Sequence, residues 1–233
     1  MGRCPSRLRR PPAKNRMRIH TTADIPDAAA LADAAACIAR GGTLIFPTDT
    51  VYGIGCAPED EGAIDAIFAA KRRPAEKPLA IHVSRPADAR AFAARISIGA
   101  QIVIDRFWPG PVTVIVERKA GRCAAAARQG PTIALRCPDS AACKAILDAT
   151  GPLAATSANI SGSPSYAGAD ADPRDLPDAD VAIIAGPTKQ LRESTVLDCS
   201  SEIVRVVRRG ALDPDDIAAA LAGVATLERS LQR

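Results

Sequence analysis

Aromatic side chains are scarce: Phe, Tyr and Trp make up 3% of the 233 residues. A core without aromatic bulk has to be assembled from Ala, Val, Ile and Leu. Apolar residues at 47% supply enough of them for one large domain or two small ones. Histidine is rarer still, with only His20 and His82, which argues against a His-rich metal site. Seven cysteines are scattered through the chain without a C-x-x-C pair. Neither a disulfide framework nor a zinc knuckle is legible, and reduced thiols in a cytoplasmic protein are expected. No stretch approaches the ~20 apolar residues of a membrane span. Asp24, Asp27 and Asp33 break the run that a secretory signal needs, so neither a signal nor a membrane contact is expected. The phosphate loop G-x-x-x-x-G-K-[ST], a G-x-G-x-x-G after a strand and the G-x-S-x-G elbow are missing too. A nucleotide, if bound, is held by dispersed Lys, Arg and Ser.

The net charge of +4 is uneven. Arg3, Arg7, Arg9, Arg10, Lys14, Arg16 and Arg18 precede any acid, and setting these seven aside leaves the remainder near −3. The basic pI therefore belongs to residues 1–18 and is no argument for a nucleic-acid-binding fold. Residues 1–18 read as a disordered basic tail. Its origin stays open between an over-long start with Met17 as the true one, a functional basic arm and a targeting segment.

Periodicity and punctuation predict helices over Asp27–Arg40, Asp60–Lys71, Pro86–Arg95, Ser97–Phe107, Ser140–Ala149 and Asp213–Ala222. Strands are expected at Thr43–Thr48, Leu79–Ser84, Val112–Arg118, Thr132–Cys137, Leu153–Ala155, Val181–Ala185, Thr195–Cys199 and Ile203–Val207. This is an α/β pattern, but not a clean doubly wound one. It predicts a single domain over 19–225, a twisted sheet of parallel and antiparallel strands flanked by helices, with 226–233 as a C-terminal tail.

Three clusters carry candidate chemistry. "FPTDTVYGIG", Phe46 to Gly55, runs from a buried strand into two hydroxyls, a carboxylate and a phenol; taken alone it also reads as a strand followed by an Asx-type turn. "KRRPAEKPLAIHVS", Lys71 to Ser84, sets four cations in seven residues between stiffening prolines. That suits a polyanion such as triphosphate, although cations at a helix C-terminus need no ligand. "ATSANISGSPS", Ala155 to Ser165, offers hydroxyls and backbone N–H groups just after a strand, where ligands of α/β sheets gather.

Together with "RFWPGPVTVIV", "TIALRCP", "STVLD" and "VRVVRRG", in that order, these stretches resemble YrdC-like threonylcarbamoyl-AMP synthases over about Ile25–Leu212. The resemblance implies a YrdC-like fold with a concave cationic cavity. It implies condensation of L-threonine, bicarbonate and ATP, with Mg²⁺ accompanying ATP, to threonylcarbamoyl-adenylate and pyrophosphate. A second enzyme system then passes the group to tRNA adenosine 37, so a downstream transferase complex is an expected partner and direct tRNA contact an open one. By position, the resemblance puts threonine near Thr50, His82, Arg136, the backbone of Ala155, and Ser194. It puts ATP near Arg73, Lys77, Thr132, Ser157, Ser165 and Arg208. Lys71 and Arg73, from the K-x-R pattern, are the expected catalytic cations, facing the cavity. No protein metal ligand is expected. Two rival classes are a non-catalytic module that binds double-stranded RNA or tRNA in the same cavity, and a domain of a larger carbamoyl-transfer enzyme such as a hydrogenase maturation factor.

Overall fold

The computed structural model describes residues 17–168 and 176–229. Residues 1–16 of the expected 1–18 tail, and residues 230–233, lie outside it. Five α-helices begin where side chains cap them: Asp27, Asp60, Ser97 and Ser140 each accept from the backbone N–H three residues on, and Asp213 from that of Asp215. The helices are α1 (Ala28–Ala39), α2 (Glu61–Lys71), α3 (Ile98–Phe107), α4 (Ala141–Thr150) and α5 (Pro214–Leu221).

The strands are β1 (Arg18–Thr21), β2 (Leu44–Phe46), β3 (Gly53–Cys56), β4 (Ala80–His82), β5 (Ala93–Arg95), β6 (Val112–Arg118), β7 (Thr132–Arg136), β8 (Leu153–Ser157), β9 (Val181–Ile184), β10 (Thr195–Asp198), β11 (Ile203–Arg208) and β12 (Thr226–Arg229). They form one mixed sheet in the order β1-β9-β2-β3-β8-β4-β7-β6-β10-β11-β12, with β5 on β6. The single-domain α/β sheet is as expected.

Three local expectations fail. Pro86–Arg95 is a 3-10 helix over Pro86–Ala91 followed by β5, because Ala93–Arg95 pairs with β6. Thr226–Arg229 is no tail: it adds a parallel edge strand to β11. At the other end, Arg18 already belongs to β1, in register with Val181 of β9, and its guanidinium grips Asp33 of α1 at 2.9 Å.

The two faces of the sheet separate by strand alternation. Leu44, Phe46, Leu153, Ala155, Val181 and Ile183 point to one face, where α1 and α4 cover them. Ile45, Ala154, Ala182 and Ile184 point to the other and join the larger core with α2, α3 and α5. On the first face the helices stop short, and the exposed remainder of the sheet floors a cavity. No described helix is long and apolar enough to cross a membrane.

Candidate active site

The floor of the cavity is built by register. On β7, β4 and β8, Ala134, Ala80 and Ala155 lie side by side, and Arg136 is level with His82 one pleat further on. Three methyl groups in a row leave a hollow of about 540 Å³, with Thr50, Arg73, Lys77, Asn159, Glu193 and Ser194 among the residues that wall it. Gly53 fits because a Cβ there would meet the Phe46 ring at 3.0 Å.

The back wall holds an ion pair. Arg136 Nη2 donates to Asp49 Oδ1 at 2.6 Å, with side chains 6% and 2% exposed. Asp49 Oδ2 and Arg136 Nε have no hydrogen-bond partner. His82, buried beside this guanidinium, has its pKa pushed down to about 3, first by burial and then by Arg136, so the imidazole is neutral at neutral pH. The edge of Phe46 closes over it at 5.9 Å.

Thr48 Oγ1 donates its single proton to Val51 O at 2.6 Å. The 3.1 Å bond between Thr48 and Thr50 hydroxyls must therefore be donated by Thr50. Thr50 is left with lone pairs for the cavity and reads a donor there. Ser194 Oγ pairs with Thr113 Oγ1 at 2.9 Å.

Lys71 lines the cavity but is not the exposed cation that was expected. At 1% exposure it is buried, and Nζ donates to Ser157 O, to Asn159 O at 2.5 Å and to Asn159 Oδ1 at 3.0 Å. Burial, and then Arg73, pull its pKa down to about 8, against the pull of Glu193. The three oxygens around Nζ favour the ammonium, so Lys71 ties the end of α2 to the loop after β8. Arg73 does line the cavity; it holds its own loop through Nε to Lys77 O at 3.2 Å and Nη2 to Pro78 O at 2.8 Å, with Phe68 5.9 Å away. Lys77 is exposed at the rim. Arg208 forms an ion pair with Glu193 and donates to Ser194 O at 2.8 Å.

Thr50, His82, Arg136, Ala155 and Ser194 thus meet in one cavity with Lys71, Arg73, Lys77, Ser157 and Arg208. Two expected residues do not line it. Thr132 shares the face of Ala134 and Arg136 but sits at the start of β7, beyond the hollow. Ser165 donates to Glu193 Oε1 at 2.8 Å and lines a neighbouring cavity of about 740 Å³ with Arg72 and Tyr166. Sequence reasoning missed Thr48, Asp49, Asn159 and Glu193 as site residues. Each sits inside or beside a quoted stretch, and a polar residue next to a candidate was the available signal. Among the described residues no group of three His, Cys, Asp or Glu gathers to hold a metal ion.

The family model Sua5/yciO/yrdC, described as "Telomere recombination", matches residues 36–210. The chain is 34% identical over 194 residues to the threonylcarbamoyl-AMP synthase of Bacillus subtilis, covering 82% of this chain and 56% of that one. It is 37% identical over 186 residues to the synthase of Pyrococcus abyssi, covering 79% and 55%. The chain thus spans little more than half the length of these curated relatives. Among solved structures, P. abyssi Sua5 complexed with L-threonine superimposes with a TM-score of 0.83 at 32% identity, over 90% of this chain and 62% of that one. Escherichia coli YciO shares the fold, with a TM-score of 0.74 at 23% identity, over 84% and 97%. With the match running across both strand-end clusters and the cationic loop between them, the chain belongs to the Sua5/YciO/YrdC family.

Proposed function

We propose that this chain is a threonylcarbamoyl-AMP synthase that condenses L-threonine, bicarbonate and ATP into L-threonylcarbamoyladenylate and pyrophosphate in the cytoplasm. The product would pass to a transferase system that modifies tRNA adenosine 37. The observation that carries the reading is the convergence of the threonine-side and nucleotide-side residues on one cavity.

In this reading Arg136, held rigid by Asp49, clamps the threonine carboxylate. Thr50 accepts from the amino acid's amine or hydroxyl, and neutral His82 adds no charge to repel the ammonium. The neutral amine forms an N–C bond to bicarbonate with loss of water, or to CO₂ with release of a proton, and an oxygen of the resulting carbamate attacks the α-phosphate as the bond to pyrophosphate breaks. No protein nucleophile is needed; alignment of two mutually repelling anions dominates. Arg73, Lys77 and Arg208 supply the positive charge, and Lys71 acts through the loop it ties down. The donor set does not suit an all-protein Mg²⁺ cage, because among the described residues Glu193 is the one carboxylate lining the cavity. Mg²⁺ would arrive bound to the triphosphate, as it does where few carboxylates are at hand.

The test is pyrophosphate release from ATP with each co-substrate omitted in turn. Turnover is expected only with L-threonine and bicarbonate together, and equal release without either would overturn the reading.

A further inference from the structure

Two arginine–carboxylate pairs line or back the cavity, and they differ in kind. Arg136 and Asp49 are sealed from water. Arg208 and Glu193 are not: their side chains are 41% and 35% exposed. A buried pair cannot be opened without stranding a charge, whereas an exposed one is held only weakly against water.

Glu193 does more than pair with Arg208. Its Oε2 takes the Arg208 guanidinium, and its Oε1 takes the Ser165 hydroxyl at 2.8 Å. The backbone fixes where this carboxylate sits. Ala211 N donates to Glu193 O at 2.9 Å, and Gly210 packs so close that a Cβ there would meet Glu193 O at 2.4 Å. Arg73 and Lys71 also feel its charge. A carboxylate that accepts from an arginine and a serine hydroxyl with its two oxygens, within the field of two more cations, occupies a donor set that suits a phosphate group. The same contact accounts for the position of Ser165, whose hydroxyl is spent on Glu193 and does not line the main cavity.

We propose that Glu193 stands in the subsite of a nucleotide phosphate, holding Arg208 and Ser165, and that a triphosphate binds by displacing it. The inference rests on the nucleotide reading of this cavity. Displacement frees one arginine and one hydroxyl together, so the two donors reach the phosphate as a set. The exchange is feasible because a multiply charged phosphate offers charge-assisted bonds stronger than those of a half-exposed carboxylate.

The experiment measures the Kd of ATP and of inorganic tripolyphosphate on the full chain by calorimetry, in wild type, Glu193→Gln, Arg208→Ala and the double variant. Wild type that binds neither ligand would sink the nucleotide reading itself, and with it this inference. With binding present, Glu193→Gln is expected to tighten both ligands about two- to fivefold, the span of an exposed ion pair. The gain should vanish in the Arg208→Ala background, where there is no guanidinium to release. Unchanged or weaker binding by Glu193→Gln overturns the proposal, because the carboxylate would then be supporting the site. A gain that persists in full without Arg208 also overturns it, because it would be a field effect of removing one negative charge. Should Glu193→Gln fail to fold, Glu193→Asp keeps the charge but is one methylene too short to span both partners. It should tighten tripolyphosphate in the same direction, and no change would count against displacement.

Discussion

Arg136 and Asp49 meet at 2.6 Å behind the cavity, and each keeps one polar atom without a partner. Removing either residue leaves a buried charge uncompensated, which typically costs about 3–5 kcal/mol. Arg136→Ala and Asp49→Ala should each lower the unfolding free energy in urea by about that much, and the pair Arg136→Met with Asp49→Leu should recover most of it. A double variant as unstable as the two single losses added together would show that the two charges do not depend on one another.

Lys71 and Arg73 should part company when each is replaced. Lys71→Met takes the ammonium from three oxygens: Ser157 O keeps the Asn159 N–H at 3.1 Å, but Asn159 O and Oδ1 lose a charged donor, and the lost bonds should cost about 1–3 kcal/mol in all. Faster hydrogen exchange at residues 157–161 should accompany the loss. Arg73→Ala gives up bonds to two exposed carbonyls that water can replace, so it should cost only about 0.5–1.5 kcal/mol of stability while raising the KM for ATP roughly 10–100-fold, the worth of a charge-assisted contact. A stable Lys71→Met protein with an unchanged exchange pattern would refute the tethering role.

His82 gives the stability curve a defined slope. Its folded pKa is depressed to about 3 from the ordinary 6.5, so its contribution is present above pH 6.5 and is lost as the pH falls toward 3, because the unfolded chain takes up a proton that the fold refuses. Between pH 7.5 and 5 this amounts to about 2 kcal/mol, at about 1.4 kcal/mol per unit once below 6.5. Chemical denaturation at pH 5 and 7.5 should show that difference in wild type and not in His82→Gln. Equal pH sensitivity in both proteins would place the proton elsewhere.

Discrimination among amino acids should follow the contacts. Threonine and serine share the hydroxyl, so preference rests on one methyl, worth about 10–200-fold at most. If Thr50 takes the side-chain hydroxyl, valine lacks that donor and should fare worse than serine; if Thr50 takes the amine, valine should lose only what the methyl exchange costs. Arg136→Ala should lower kcat/KM for threonine and serine alike. Retention of serine turnover with loss of threonine turnover would mean that Arg136 reads the side chain and is no carboxylate clamp.

Much of this was legible in the chain itself. The capping residues Asp27, Asp60, Ser97, Ser140 and Asp213 announced five helices, because a cap and the amphipathic run behind it are local signals. Ala93–Arg95 misled because three residues carry too little period to tell a helix from a strand, and pairing with β6 decided the matter. β3 was hidden by its glycines, which sheet propensity disfavours and the Phe46 ring requires. Within the site, the residue types stood in the motifs, but their partners did not. Lys71 reads as one more surface cation until Asn159, far along the chain, is seen to cap it. Asp49 lies between two threonines with nothing to announce that Arg136 is its mate.

The row formed by Ala80, Ala134 and Ala155 makes the depth of the cavity adjustable in steps of single carbon atoms. These positions are remote in the chain and meet through strand register, and each turns its methyl to the cavity. A valine at any of them would raise the floor under the substrates while leaving every charge in place, and a glycine would lower it. The space above the floor can therefore change through its most ordinary residues, with the polar rim untouched.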